Sequence, residues 1–72
     1  MADELSARIR RARTEAELSR EHLAWKIEVS LATLVRYETG RTQRISAARL
    51  ARIAEATGKP IGWFFENDGL AA

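Results

Sequence analysis

Between Ser19 and Glu38 the sequence reads SREHLAWKIEVSLATLVRYE, and its spacing leaves little choice of fold. Leu23, Ala24 and Ile27 form one buried face of a helix over about 20–27; Leu34 and Tyr37 form that of a second over about 31–39. Ser19 and Ser30 stand where N-caps belong, and Gly40 where a left-handed C-cap ends the second helix. Only Glu28-Val29-Ser30 links the two. So short a link makes the helices cross steeply instead of lying antiparallel. A steep crossing leaves room for only a small side chain at closest approach, and Ala24 supplies it. Leu23, Ile27, Val29, Leu34 and Tyr37 surround that point with large apolar groups. This is a helix-turn-helix pattern. Helices of two turns do not persist alone, so the rest of the chain must hold them.

The flanking sequence is also helical. Leu5, Ile9, Ala12 and Ala16 mark one stripe of a helix over about 3–16, with Asp3 as its cap and Arg8, Arg10, Arg11 and Arg13 around the stripe. Leu50, Ile53, Ala54 and Thr57 mark another over about 47–57, capped by Ser46 and stopped by Gly58 and Pro60. A fifth short segment, Ile61 to Glu66, carries Trp63, Phe64 and Phe65 onto the bundle. No alternating β-branched run is present. The expectation is all-α: one domain over 1–66 and a flexible tail over 67–72. At 72 residues there is room for one small domain, which buries roughly 60% of its unfolded surface.

Composition then excludes whole classes. There is no cysteine, hence no disulfide framework or thiolate chemistry. His22 is the single histidine, and no nucleophile–base set or phosphate-cradling glycine loop is present. No enzyme activity, metal or cofactor is expected. No apolar run approaches the roughly 20 residues of a membrane span. The acidic start, Met1 to Glu4, is unlike a signal peptide. A cytoplasmic location is therefore expected. Net charge is only +2, but residues 29–52 carry +4, and ten of the twelve bases are arginine. Arginine forks onto phosphates and guanines, although arginines on a surface are also simply solvated.

With LSREHLAWKIEVS, TLVRYETGR and LARIAEATGKPIGWFF in order, the chain resembles the phage Cro/repressor (XRE-like) helix-turn-helix domains over about residues 5–66. The resemblance implies a compact five-helix, lambda-repressor-like DNA-binding domain with helix three as the recognition helix. Three positions depart from the pattern. Glu28 stands at a turn position usually held by glycine, Arg20 where glutamine often begins helix two, and Ile45 where proline often precedes helix four. A left-handed Glu28 would cost of order 1 kcal/mol relative to glycine and set a negative charge near the DNA path.

What the resemblance implies about function is sequence-specific binding of double-stranded DNA by a homodimer, regulating transcription by covering a near-palindromic operator as a repressor. Base contacts would come from Leu31, Ala32, Thr33, Val35 and Arg36. Backbone contacts would come from Arg20, Ser30, Arg41, Thr42, Gln43 and Arg44. An ion pair between Arg13 and Glu38 would fix helix three against helix one, and Lys59, Pro60, Ile61, Trp63 and Phe64 would form the dimer surface. Some readings stay open on the residues alone. Leu31 suits a thymine methyl or apolar packing, Arg36 a guanine, a phosphate or a surface ion pair. Trp25 fits packing at an edge of helix two, and His22 a surface position. Two other roles fit the same residues: an antitoxin or restriction–modification controller that binds DNA and a partner protein such as a toxin, or a purely protein-binding helical module.

Overall fold

Serine hydroxyls start three of the helices. The computed structural model describes residues 2–40 and 44–66, with side chains from Glu4 onward. α1 is Ala2–Glu15, α2 Arg20–Ile27, α3 Leu31–Thr39 and α4 Ala47–Thr57. Ser19, Ser30 and Ser46 have extended backbones, and their side chains accept from the N–H groups of His22, Thr33 and Arg49. Each satisfies a helix-start donor that has no partner within its helix. α1 already begins at Ala2, so Asp3 lies in its first turn and not at its cap.

The helix ends turn through left-handed residues. Gly40 (φ 77°) and Gly58 (φ 74°) close α3 and α4, where a side chain would be strained. Glu28 closes α2 at φ 62°, ψ 45°, with Val29 N donating back to Ala24 O at 3.0 Å. Glu17 (φ 58°) closes α1 in the same way, with Leu18 N donating to Arg13 O at 3.1 Å. Two glutamates thus occupy backbone that glycine would enter more cheaply.

The core joins all four helices. Ile9 and Ala12 of α1, Leu23, Ala24 and Ile27 of α2, Leu34 and Tyr37 of α3, and Leu50, Ile53 and Ala54 of α4 are buried together with Phe64. α1 packs against α3 and α4, and α2 against α3 and α4. Leu5, Leu18, Val29, Ile45 and Trp63 close the margins of the core. Ile45, at the position where the pattern often has proline, is thus used for packing.

The expected fifth helix is corrected: the fold has four α-helices and no strand among the described residues. Ile61–Phe65 is a single 3₁₀ turn. Pro60 leads into it, and Trp63 N donates to Pro60 O at 3.0 Å. Five residues close too few i→i−4 bonds to offset helix nucleation, so the tighter i→i+3 turn is preferred. The tail expected at 67–72 falls outside the described residues.

Candidate nucleic-acid interface

α3 turns one face into the core and leaves the other open. Leu34, Tyr37 and Glu38 are buried, whereas Leu31, Ala32, Arg36 and Thr39 are exposed and Val35 is half-buried. Leu31, Ala32, Val35, Arg36 and Thr39 together line a shallow, mostly apolar depression. Leu31 is 42% exposed, so core packing does not account for it. The Arg36 side chain has no hydrogen bond or ion pair among the described residues, while its carbonyl accepts from Gly40 N–H. Thr39 Oγ1 donates to Val35 O at 2.8 Å. At the start of the helix the Ser30 hydroxyl accepts from Thr33 N at 3.1 Å and donates to Thr33 Oγ1 at 2.9 Å. Both hydroxyls are therefore engaged in the cap.

The far end of α3 is anchored by charge. Glu38 is 1% exposed. Arg13 Nε donates to its Oε2 at 2.6 Å and Arg13 Nη2 to its Oε1 at 3.2 Å, a two-pronged pair from α1. Arg20, the first residue of α2, donates from Nε to Oε1 at 3.1 Å, and Arg10 Nη1 reaches the Glu38 carbonyl at 3.3 Å. One carboxylate thus ties three helices together. Next to it, Arg49 Nη1 of α4 donates to the hydroxyl of the neighbouring residue, Tyr37, at 3.0 Å. α3 is gripped along its inner face while its outer face stays clear.

A family model described as a helix-turn-helix domain matches residues 4–60. The chain belongs to the helix-turn-helix domain family. This bears out the Cro/repressor-like (XRE-like) resemblance carried by the residues themselves. Over 60 residues the domain is 47% identical to an "uncharacterized transcriptional regulator in ATPase CF(0) region" of Rhodospirillum rubrum, covering 83% of this chain and 55% of that protein. It is 33% identical over 63 residues to an "uncharacterized HTH-type transcriptional regulator" of Sinorhizobium medicae (strain WSM419), covering 88% of this chain and 45% of that protein. The chain spans about half the length of these curated relatives. The crystal structure of the clp gene regulator ClgR from C. glutamicum superposes with a TM-score of 0.81 at 26% identity, covering 89% of this chain and 82% of that one.

Elsewhere the structure of this helix-turn-helix domain departs from expectation. Phe64, assigned to a dimer surface, is 2% exposed and belongs to the core. Its neighbours stay accessible: Ile61 is 46% and Phe65 65% exposed. Trp63 is half-buried, with the Arg8 guanidinium 4.7 Å and the Lys59 ammonium 4.7 Å from its ring centroid. Lys59 also donates to Glu15 at 2.6 Å. That bond, then the one from Arg11, holds the Glu15 carboxyl below its ordinary value of 4.5. Trp25 is 75% exposed, with His22 6.2 Å away ring to ring, so it does not pack at an edge. Arg41, Thr42 and Gln43 lie outside the described residues, while Arg44 is exposed.

Two residues escaped the sequence reading. Arg8 is 6% exposed and donates from Nη1 to Trp63 O at 3.1 Å, tying α1 to the 3₁₀ turn. Its spacing was the signal: three residues after Leu5 and four before Ala12, it sits on the apolar stripe. Arg52 Nη2 donates to Glu28 Oε2 at 2.9 Å, so the unusual charge at the turn has its own counterion. Nothing local to Glu28 reveals that partner 24 residues away. Among the described residues no cluster of acidic or histidine side chains is placed to hold a metal, and no helix is long and apolar enough to cross a membrane.

Proposed function

We propose that this domain binds double-stranded DNA sequence-specifically as a homodimer and regulates transcription, as a repressor that covers a near-palindromic operator. The observation that carries this is the state of α3: clamped from behind by Arg13, Arg20 and Arg49, and open in front at Leu31, Ala32, Val35 and Arg36. A helix held in this way presents its leading residues and one face to base edges in the major groove. The names of the relatives, both transcriptional regulators, support the regulatory role.

Arg36 is the group suited to fork onto guanine O6 and N7. Arg20 takes one hydrogen bond's worth of its guanidinium to Glu38, and its side chain remains 43% exposed. It stands at the N-terminus of α2, where helix N–H groups favour a phosphate. Arg44, and Arg41, Thr42 and Gln43 beside it in sequence, would follow the backbone. Ser30 serves first as a cap. The exposed Ile61 and Phe65 supply the apolar surface for a second copy, in place of Phe64.

In vitro selection from a random duplex library tests the reading. The expected product is a pair of inverted half-sites with centres about 34 Å apart, one turn of DNA. Absence of any enriched duplex, with the protein folded, would overturn it.

A further inference from the structure

The chemistry on the outer face of α3 limits which base edges it is able to read, and this inference rests on the DNA-binding reading above. That face is lined by Leu31, Ala32, Val35, Arg36 and Thr39, of which Val35 is half-buried and the others exposed. α3 contains no Asn or Gln, so no side chain offers an amide to adenine N6 and N7. Its carboxylate, Glu38, is buried and held by two arginines, so none accepts from cytosine N4. The Thr39 hydroxyl donates to Val35 O, and Thr33 Oγ1 accepts from Ser30. Besides the hydrogen-bonding capacity these two hydroxyls keep, there remain one guanidinium and a run of aliphatic surface. In the major groove that surface matches one feature, the C5-methyl group of thymine.

We infer that Leu31, Ala32 and Val35 read pyrimidine C5-methyl groups as such, so that 5-methylcytosine is bound better than cytosine where thymine is preferred. 5-Methylcytosine carries its methyl on the same ring carbon as thymine. The two bases differ at C4, an oxygen acceptor in one and an amino donor in the other. An aliphatic side chain makes no hydrogen bond and does not sense that difference. At a position read only through Leu31, Ala32 and Val35, methylated cytosine therefore keeps the contact that cytosine lacks.

The test uses the purified 72-residue chain and the duplex obtained by selection. Each thymine of one half-site is replaced in turn by deoxyuridine, by cytosine and by 5-methylcytosine, the last two paired with guanine. Affinities are read by fluorescence anisotropy. Deoxyuridine removes only the methyl, and at one or more thymines it is expected to weaken binding about fourfold, the worth of one buried methyl. At the same positions 5-methylcytosine is expected to bind about fourfold more tightly than cytosine. In Leu31→Ala, at the thymine that Leu31 meets, both differences should shrink to less than twofold. Leu31 is exposed, so this variant is expected to keep its thermal midpoint. Tight binding that ignores deoxyuridine and 5-methylcytosine at every position would overturn the methyl reading and leave DNA binding standing. A failure to enrich any duplex would instead remove DNA binding and the methyl reading with it.

Discussion

At the residue scale, Glu38 decides most. A carboxylate with no exposed side-chain surface is tolerated only because Arg13 and Arg20 both donate to it. Breaking a buried pair by removing one partner costs about 3–5 kcal/mol, because the other charge is left behind. Glu38→Leu should therefore destabilise the fold by about 3 kcal/mol, and a double-mutant cycle with Arg13→Met should show coupling of about 2 kcal/mol in urea unfolding. Zero coupling would mean that the pair does not hold α3. Glu28 gives a second test. Its φ of 62° favours glycine, but its Arg52 contact is lost in any truncation. Glu28→Gly should thus be about 1 kcal/mol more stable than Glu28→Ala, a comparison from which the ion pair cancels. Equal midpoints would show that the left-handed turn carries no strain. Glu15 supplies the pH dependence. Lys59 and then Arg11 lower its folded pKa, so its contribution is whole above the ordinary value of 4.5 and disappears as pH falls through the folded value. Melting curves of Glu15→Gln should lose less stability on acidification below pH 4.5 than those of the parent chain. The Arg13–Glu38 pairing came from family resemblance, whereas the second arginine, Arg20, depends on how α2 enters the bundle.

At the scale of elements, local chemistry is nearly sufficient. A serine before an apolar run and a glycine after it are short-range signals: α2, α3 and α4 begin where the serines place them, and α3 and α4 end where the glycines do. Ser30→Ala and Ser46→Ala should each cost about 1 kcal/mol in thermal unfolding. Ser30→Ala also frees the Thr33 hydroxyl at the leading end of α3. A loss below a few tenths of a kcal/mol would show that the cap bonds are dispensable. Local signals failed in two places. The end of α1 turns through Glu17, which no composition rule marks. The last segment is one 3₁₀ turn because five residues are too few for an α-helix, although its aromatic content reads the same either way.

At the scale of the whole molecule, small size matters most. A domain this short has a thin core, and exposed Ile61 and Phe65 beside buried Phe64 are surface that a second copy would cover. Phe65→Ser is expected to keep the fold and shift the protein to monomer in sedimentation. A dimer unchanged by it would place the interface elsewhere. DNA affinity is expected to fall steeply with salt: a dimer meeting about six phosphates should lose about a thousandfold between 50 and 200 mM. A flat salt response would exclude phosphate contacts as the source of affinity.

The sequence by itself determined the four α-helices, the three serine caps, the apolar stripes and the family, because each of these is written in spacings of a few residues. Only the tertiary structure decided where the other arginines bind. Arg8 on Trp63, Arg20 on Glu38 and Arg52 on Glu28 join residues 18 to 55 positions apart, and such pairs exist only once packing has fixed how the helices lie. Burial of Phe64 beside an exposed Phe65 was likewise set by the turn that carries them, since two adjacent aromatics are alike until one of them faces a core.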